Sequence, residues 1–248
     1  MSTDNRLLVL IGSGPGIGRA VASRFAQQHF DRIALIARNA QRLKEDRDAV
    51  LVVAESAKRD VEVQTWQVDI NNVEKLQTAL NEISEFGSLE CLYFNAARVA
   101  GSTLLEFPIE GIEEDLRVSI VALYAATQWA MPILLKKAQS QPKDSKPSLL
   151  VTNSLLPMSP IPQVFSLSMV KAAQANLVKS LEKEFSPQGV HVGLVAVGGI
   201  VAPDHKAWNP TNVAEQAWKL FAQKPEEWTG QVTIYEDGAV GWTSDYLQ

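Results

Sequence analysis

Short apolar runs alternate along the chain with longer stretches whose apolar residues recur every three or four positions. Leu7 to Ile11, Arg32 to Ala37, Leu89 to Asn95, Leu149 to Thr152 and Val190 to Val197 are runs of the first kind. Such runs suit strands buried on both faces of a parallel sheet. Val61 to Val68 alternates instead, with Val61, Val63 and Thr65 set against Glu62 and Gln64, and reads as a further strand. Gln231 to Tyr235 predicts the last one. Helical spacing fills the gaps: Arg19 to Ala26, residues 40–59, Val73 to Phe86, residues 108–137, Ser168 to Phe185 and Val213 to Ala222. Gly87-Ser88 and Pro187 with Gly189 mark helix ends, and Pro108 a first turn. Strand and helix in strict alternation predict α/β architecture: one open, doubly wound, mostly parallel sheet with helices on both faces. The polar, proline-punctuated stretch 139–148 reads as a surface loop rather than a linker, because a strand resumes at once. Residues 155–167 read as a proline-bearing loop. Residues 1–248 are therefore expected to form a single domain.

In such a sheet ligands bind beyond the carboxyl ends of the strands. After the first strand the chain reads Gly12-Ser13-Gly14-Pro15-Gly16-Ile17-Gly18 and enters a helix. Strand, glycine turn and helix together form a dinucleotide fingerprint of Rossmann type. The glycines allow a tight turn, and backbone N–H groups at the helix N-terminus attract a pyrophosphate. The second strand ends at Ala37-Arg38, about 20 residues after Gly18, the fingerprint's spacing for the residue facing the adenosine ribose. No acid stands there. Arg38 offers a guanidinium fork suited to a 2′-phosphate, so NADP(H) is expected over NAD(H). The structural alternative is that Arg38 pairs only with Asp46 or Glu45 of the next helix.

Composition narrows the function classes. Of 248 residues, 46% are hydrophobic and 21% charged, enough apolar content for a sizeable core. A net charge of −5 argues against a nucleic-acid surface. The single cysteine, Cys91, lies in an apolar run and points to a reducing, cytoplasmic setting. The polar start MSTDNR has no signal-like apolar region, and no apolar run is expected to be long enough for a bilayer. His29, His191 and His205 are scattered without ligand spacing, so no metal site is expected.

The ordered motifs resemble the short-chain dehydrogenase/reductase family over nearly the whole chain. The glycine turn matches that family's first motif, with Ile11 in place of its leading threonine. Asp69 matches the acid set against the adenine, and Asn95-Ala96-Ala97 part of the motif after the fourth strand. Ser154 matches the serine after the fifth strand, Lys171 the lysine of Tyr-x-x-x-Lys, and Gly198 to Pro203 the segment after the sixth strand. The resemblance implies catalytic roles for Ser154 and Lys171. It implies cofactor binding by Gly12, Ser13, Gly14, Gly16, Ile17, Gly18, Arg38, Asp69, Ile70, Asn95, Ala96, Lys171 and Val201. It also implies a small-molecule substrate and a homodimer or homotetramer. Val121, Ala125, Trp129, Ala172, Ala175 and Leu181, on the two long helices, are candidates for the interface.

The departures bear on mechanism. The family's tyrosine, its general acid or base, falls at Leu167, and its relay asparagine at Ser119. A leucine has no proton to give, and general acid–base help is worth about 10²–10⁴ in rate. Ser166 and Ser168 flank Leu167 but point elsewhere. Tyr93 is expected in the core and Tyr124 packed on its helix. His205 lies in the loop after the sixth strand, where Trp208 is placed to cover a cofactor or a small pocket. Three readings follow. The first is an NADP(H)-dependent carbonyl or alcohol oxidoreductase with a degenerate catalytic site. The second is a cofactor-binding protein without redox turnover. The third is a non-redox isomerase, lyase or cyclase using the same cleft.

Overall fold

A computed structural model of the protein describes residues 5–140 and 144–244. The first four residues of the polar N-terminal stretch and residues 141–143 of the predicted 139–148 loop lie outside them. Eight strands form one sheet: β1 Arg6–Ile11, β2 Arg32–Ala37, β3 Glu62–Gln67, β4 Ser88–Phe94, β5 Ser148–Ser154, β6 His191–Val197, β7 Gln231–Ile234 and β8 Val240–Thr243. Their order across the sheet is β3-β2-β1-β4-β5-β6-β7-β8. Every neighbouring pair is parallel except β7 with β8. The α/β, mostly parallel architecture read from the sequence is the one observed.

The two-residue period of a strand divides the core into halves. On β1, Leu7, Val9 and Ile11 face one apolar cluster while Leu8 and Leu10 face the other. The first cluster is closed by α3 Val73–Ile83, α5 Ala122–Ser140 and α6 Phe165–Phe185. The second is closed by α1 Ile17–Gln28, α2 Ala40–Ser56 and α7 Pro210–Ala222. All five apolar residues of β1 are fully buried, and each such Leu, Ile or Val contributes about 1.5–3 kcal/mol.

Four local features differ from the sequence reading. The stretch 108–137 is not one regular helix. It runs as α4 Ile109–Leu116, a π turn at Arg117–Val121, and α5, which continues to Ser140 and carries Pro132. In the π turn Ala122 N–H donates to Arg117 O, a five-residue closure that hydrophobic periodicity cannot reveal. Helix α6 begins at Phe165, so Leu167 lies in its first turn rather than in the preceding loop. Helix α7 begins at Pro210, capped by Asn209, whose side chain accepts from Asn212 N. Strand β8 was not foreseen, since four half-exposed residues at an antiparallel edge carry little pattern. In addition, the continuous helical stretch Ile109–Ser140 is long and apolar enough to cross a bilayer, contrary to the sequence expectation. Over half of its most apolar window is buried inside the protein, with Leu123, Ala126, Ala130 and Leu134 packed in the first core cluster.

Candidate active site

The glycine turn is hung on the end of β2. Gly12 N and Ser13 N both donate to Ile36 O, at 2.9 and 3.1 Å. Gly12 has φ +94°, and a Cβ there would stand 2.5 Å from Ala96 N, so only glycine permits this crossing of β1 and β4. Asn95 fixes the crossing from the other side, its Nδ2 donating to Gly12 O at 2.9 Å. A Cβ on Gly14 or Gly16 would meet nothing within 4 Å. That open space faces the start of α1, whose Gly16 N-cap supplies no side-chain partner to the first N–H groups. The turn therefore fits a pyrophosphate, with Ile17 opening the helix and Gly18 buried in it.

At the ribose end, Arg38 is exposed, and Gln67 Nε2 donates to its carbonyl at 3.2 Å. Among the described residues its guanidinium makes no hydrogen bond or ion pair. Neither acid weighed as its partner serves it. Asp46 accepts from Ser13 Oγ at 2.7 Å, and Glu45 from Gln41. Asp46 is buried, and burial pushes its carboxyl up; the Ser13 hydrogen bond and the Arg19 guanidinium, 3.9 Å away, oppose that rise. Asp69 is exposed at the end of β3 and accepts from Asn71 N at 3.1 Å. Ile70 turns its side chain into the first core cluster, which leaves only its backbone for a ligand. Ala96 and Val201 are half-buried, the first beside the Gly12 crossing and the second against the other cluster.

Lys171, Asn153 and Ser154 are linked at the carboxyl end of β5. Lys171, with Leu167 one turn before it, lies on the buried face of α6. Its Nζ donates to Thr152 O at 2.8 Å and to Gln174 Oε1 at 2.9 Å, which leaves a third N–H. Burial lowers its pKa to about 8. Ser154 Oγ accepts from Leu156 N at 3.2 Å. Asn153 joins the two, accepting from Ser154 N at 2.7 Å and donating to Lys171 O at 3.2 Å.

Of the other groups weighed as proton sources, Ser166, Ser168, Tyr93 and His205 are engaged by partners of their own. Ser166 Oγ donates to buried Asp115 at 2.6 Å, and Ser168 Oγ donates to Val164 O. Tyr93 is fully buried beside Thr152, 3.0 Å away, and burial pushes its phenol up. Tyr124 does not pack on its helix as expected; it is half exposed. His205 Nδ1 accepts from Trp208 N at 2.8 Å, and its ring stacks on that indole at 4.6 Å. Trp208 lies over Gly198 and Gly199 and donates to Ile234 O at 3.0 Å, so it closes the end of β6 and β7. An apolar cleft of about 370 Å³ opens beside α6, between Phe165, Ser168, Met169 and Ala172 and the loop Leu156 to Pro162.

Sequence reasoning missed Gln174, Asn153 and the Arg98–Asp115–Ser166 chain. The signal for Gln174 was available: a glutamine three residues after Lys171, on a face that otherwise reads Leu167, Val170, Val178. Arg98 donates to Asp115 at 2.7 Å and to Glu114 at 2.6 Å, and Ser166 N–H donates to Ser102 Oγ. These bonds tie the start of α6 to α4 and to the segment after β4. Sequence distance hid them.

Fold and glycine turn together define a dinucleotide-binding α/β architecture of Rossmann type. The family pattern described as short chain dehydrogenase matches residues 6–212, and the chain belongs to that family. It is 24% identical over 237 residues to an uncharacterized oxidoreductase of Staphylococcus epidermidis, covering 92% of this chain and 96% of that protein. Among solved structures it resembles a metagenomic short-chain oxidoreductase in complex with NADP (TM-score 0.79, 18% identity, 94% and 98% of the two chains). It also resembles an NADH-dependent reductase complexed with NAD (TM-score 0.76, 19% identity, 95% and 96%).

Proposed function

We propose that this protein is an NADP(H)-preferring carbonyl or alcohol oxidoreductase whose proton-donating position is held by Leu167. The observation that carries the reading is the arrangement on α6: Leu167 and Lys171 share a buried face, one turn apart, opposite the end of β5 with Ser154. The bound nicotinamide supplies hydride transfer. Lys171, with its third N–H, holds the nicotinamide ribose, and Ser154 polarises the substrate oxygen. The proton comes from water or substrate, and turnover is slow in proportion. Arg38, exposed and without an acidic partner among the described residues, supports the preference for the 2′-phosphate. A small-molecule substrate, a cytoplasmic setting and pairing of two copies through the long helices belong to the same proposal. Of the interface candidates, Val121 is exposed and Ala172 half-buried, while Ala125 and Ala175 are spent in the protein's own core.

The test is a titration with NADPH and NADH, followed by nicotinamide fluorescence and thermal shift, then by nicotinamide absorbance with a panel of carbonyl compounds. Tighter binding of NADPH with slow oxidation is the expected result. Failure of both nucleotides to bind overturns the reading. Binding without oxidation of the nucleotide by any carbonyl leaves a cofactor-binding protein.

A further inference from the structure

From the geometry at Ser13 we infer that Asp46 is a specificity-determining residue, acting through the Ser13 hydroxyl against the 2′-phosphate of the cofactor. The inference rests on the cofactor reading above. Asp46 lies 2.7 Å from Ser13 Oγ, and its side chain is 2% exposed. An ionised carboxylate only accepts, so the proton in this contact is the serine's. Ser13 Oγ is left with lone pairs alone to offer a ligand. Its position follows from the backbone: Ser13 N and Gly12 N hang on Ile36 O, two residues before Arg38, so Ser13 and Arg38 flank the same strand end.

A ribose 2′-hydroxyl has a proton to donate to Ser13 Oγ. A 2′-phosphate has none once ionised, and it meets the lone pairs of Ser13 backed by the charge of Asp46. The acid that the dinucleotide fingerprint sets at the end of the second strand is thus supplied from α2, one hydroxyl removed. Arg38 pulls the other way. The two together set a moderate preference for NADP(H) in place of a strong one. Arg19 lies across from Asp46 at 3.9 Å, and Arg42 and Glu45 stand near it on α2. Arg19 is also held by Pro15 O at 3.0 Å, so the Asp46 charge is only partly met.

The experiment is the pair of dissociation constants for NADPH and NADH, measured by fluorescence titration in the absence of substrate. Asp46→Asn keeps the shape and removes the charge. It is expected to shift the ratio of the two constants toward NADPH about tenfold, the scale of one hydrogen bond to a charged group. In a Ser13→Ala background the same change is expected to shift the ratio about threefold or less, since the intermediary is gone. Ser13→Ala alone, a mild change on the turn, is expected to weaken NADH several-fold and to leave NADPH unweakened. This second variant decides the matter if Asp46→Asn melts below the assay temperature. Binding of both nucleotides with a ratio unmoved by either substitution overturns this inference and leaves the cofactor reading standing. Binding of neither by the wild-type protein overturns both.

Discussion

Gln174 Oε1 accepts a hydrogen bond from Lys171 Nζ at 2.9 Å, and both side chains are buried. The amide's other end donates to Ser119 O at 2.9 Å, in the π turn Arg117–Val121. One polar side chain thereby connects the irregular turn of the long helix to the lysine of the site. A buried ammonium needs such partners, because desolvation penalises its charge.

Replacing Gln174 by Leu removes a partner from buried Lys171 and a donor from Ser119 O. Each unmet buried group costs about 1–3 kcal/mol, so the melting temperature is expected to fall by roughly 5–10 °C. Gln174→Glu keeps an acceptor for Lys171 and adds an opposite charge, which raises the lysine pKa. Thermal melts of the two variants at neutral pH check the order: glutamine most stable and leucine least. A leucine variant as stable as the parent would remove the bridge from the argument.

Lys171 also sets a pH dependence. Its folded pKa is about 8, against about 10.4 in an unfolded chain. Below pH 8 both states hold the proton, and the cost of burying the charge is present in full. Between pH 8 and about 10.4 the folded protein releases the proton while the unfolded chain keeps it, so this group's contribution to stability improves as pH rises. Nucleotide binding should run the other way if the ammonium holds the ribose. NADPH affinity is expected to fall as pH passes 8, and to be weaker but flat across that range in Lys171→Met. Titrations at pH 7, 8 and 9 measure both.

The sheet and most of its helices were legible because burial on both faces writes short, nearly unbroken apolar runs into β1, β2, β4 and β6. Local chemistry also marked the glycine turn: Gly12 stands where a Cβ would strike Ala96 N. Three kinds of information were not local. The π turn at Ser119 depends on closure by Ala122 N–H, which no periodicity encodes. The engagement of Asp46 by Ser13 joins residues 33 positions apart. The start of α6 at Phe165 depends on Ser102 and Asp115, brought in from other segments to bind Ser166. Residues 155–164 have the proline content of a loop, and nothing within them marks where the helix resumes.

If Leu167 holds the proton-donating position, as proposed, a tyrosine there should bring a gain of function. It is buried in the first turn of α6, on the face that carries Lys171. Leu167→Tyr places a phenol one turn from an ammonium, which lowers the phenol's pKa toward the working range. Carbonyl reduction is expected to rise by about 10²–10⁴, with NADPH affinity little changed. The measurement is the rate of NADPH oxidation with a carbonyl panel, wild type against variant. Unchanged rates with intact binding would place the missing element elsewhere, at Ser119 or in the substrate pocket.

Gly199 and Trp208 are matched to one another. A Cβ on Gly199 would lie 2.2 Å from the Trp208 ring, although the backbone there has no positive φ to forbid a side chain. The nearest obstacle to a side chain there is the indole. Gly199→Ala must therefore displace Trp208, breaking its bond to Ile234 O and its stack on His205. The expected cost is about 1–3 kcal/mol, the range for overpacking. Trp208→Ala loses the same contacts and opens the space that the new methyl needs. Once the tryptophan is gone the alanine has nothing to strike, so the double variant is expected to be no less stable than Trp208→Ala alone. Urea unfolding of the four proteins gives the coupling energy directly. Additive losses would mean that Gly199 is held by the backbone or by a ligand, and Trp208 would then not be the reason for the glycine pair after β6.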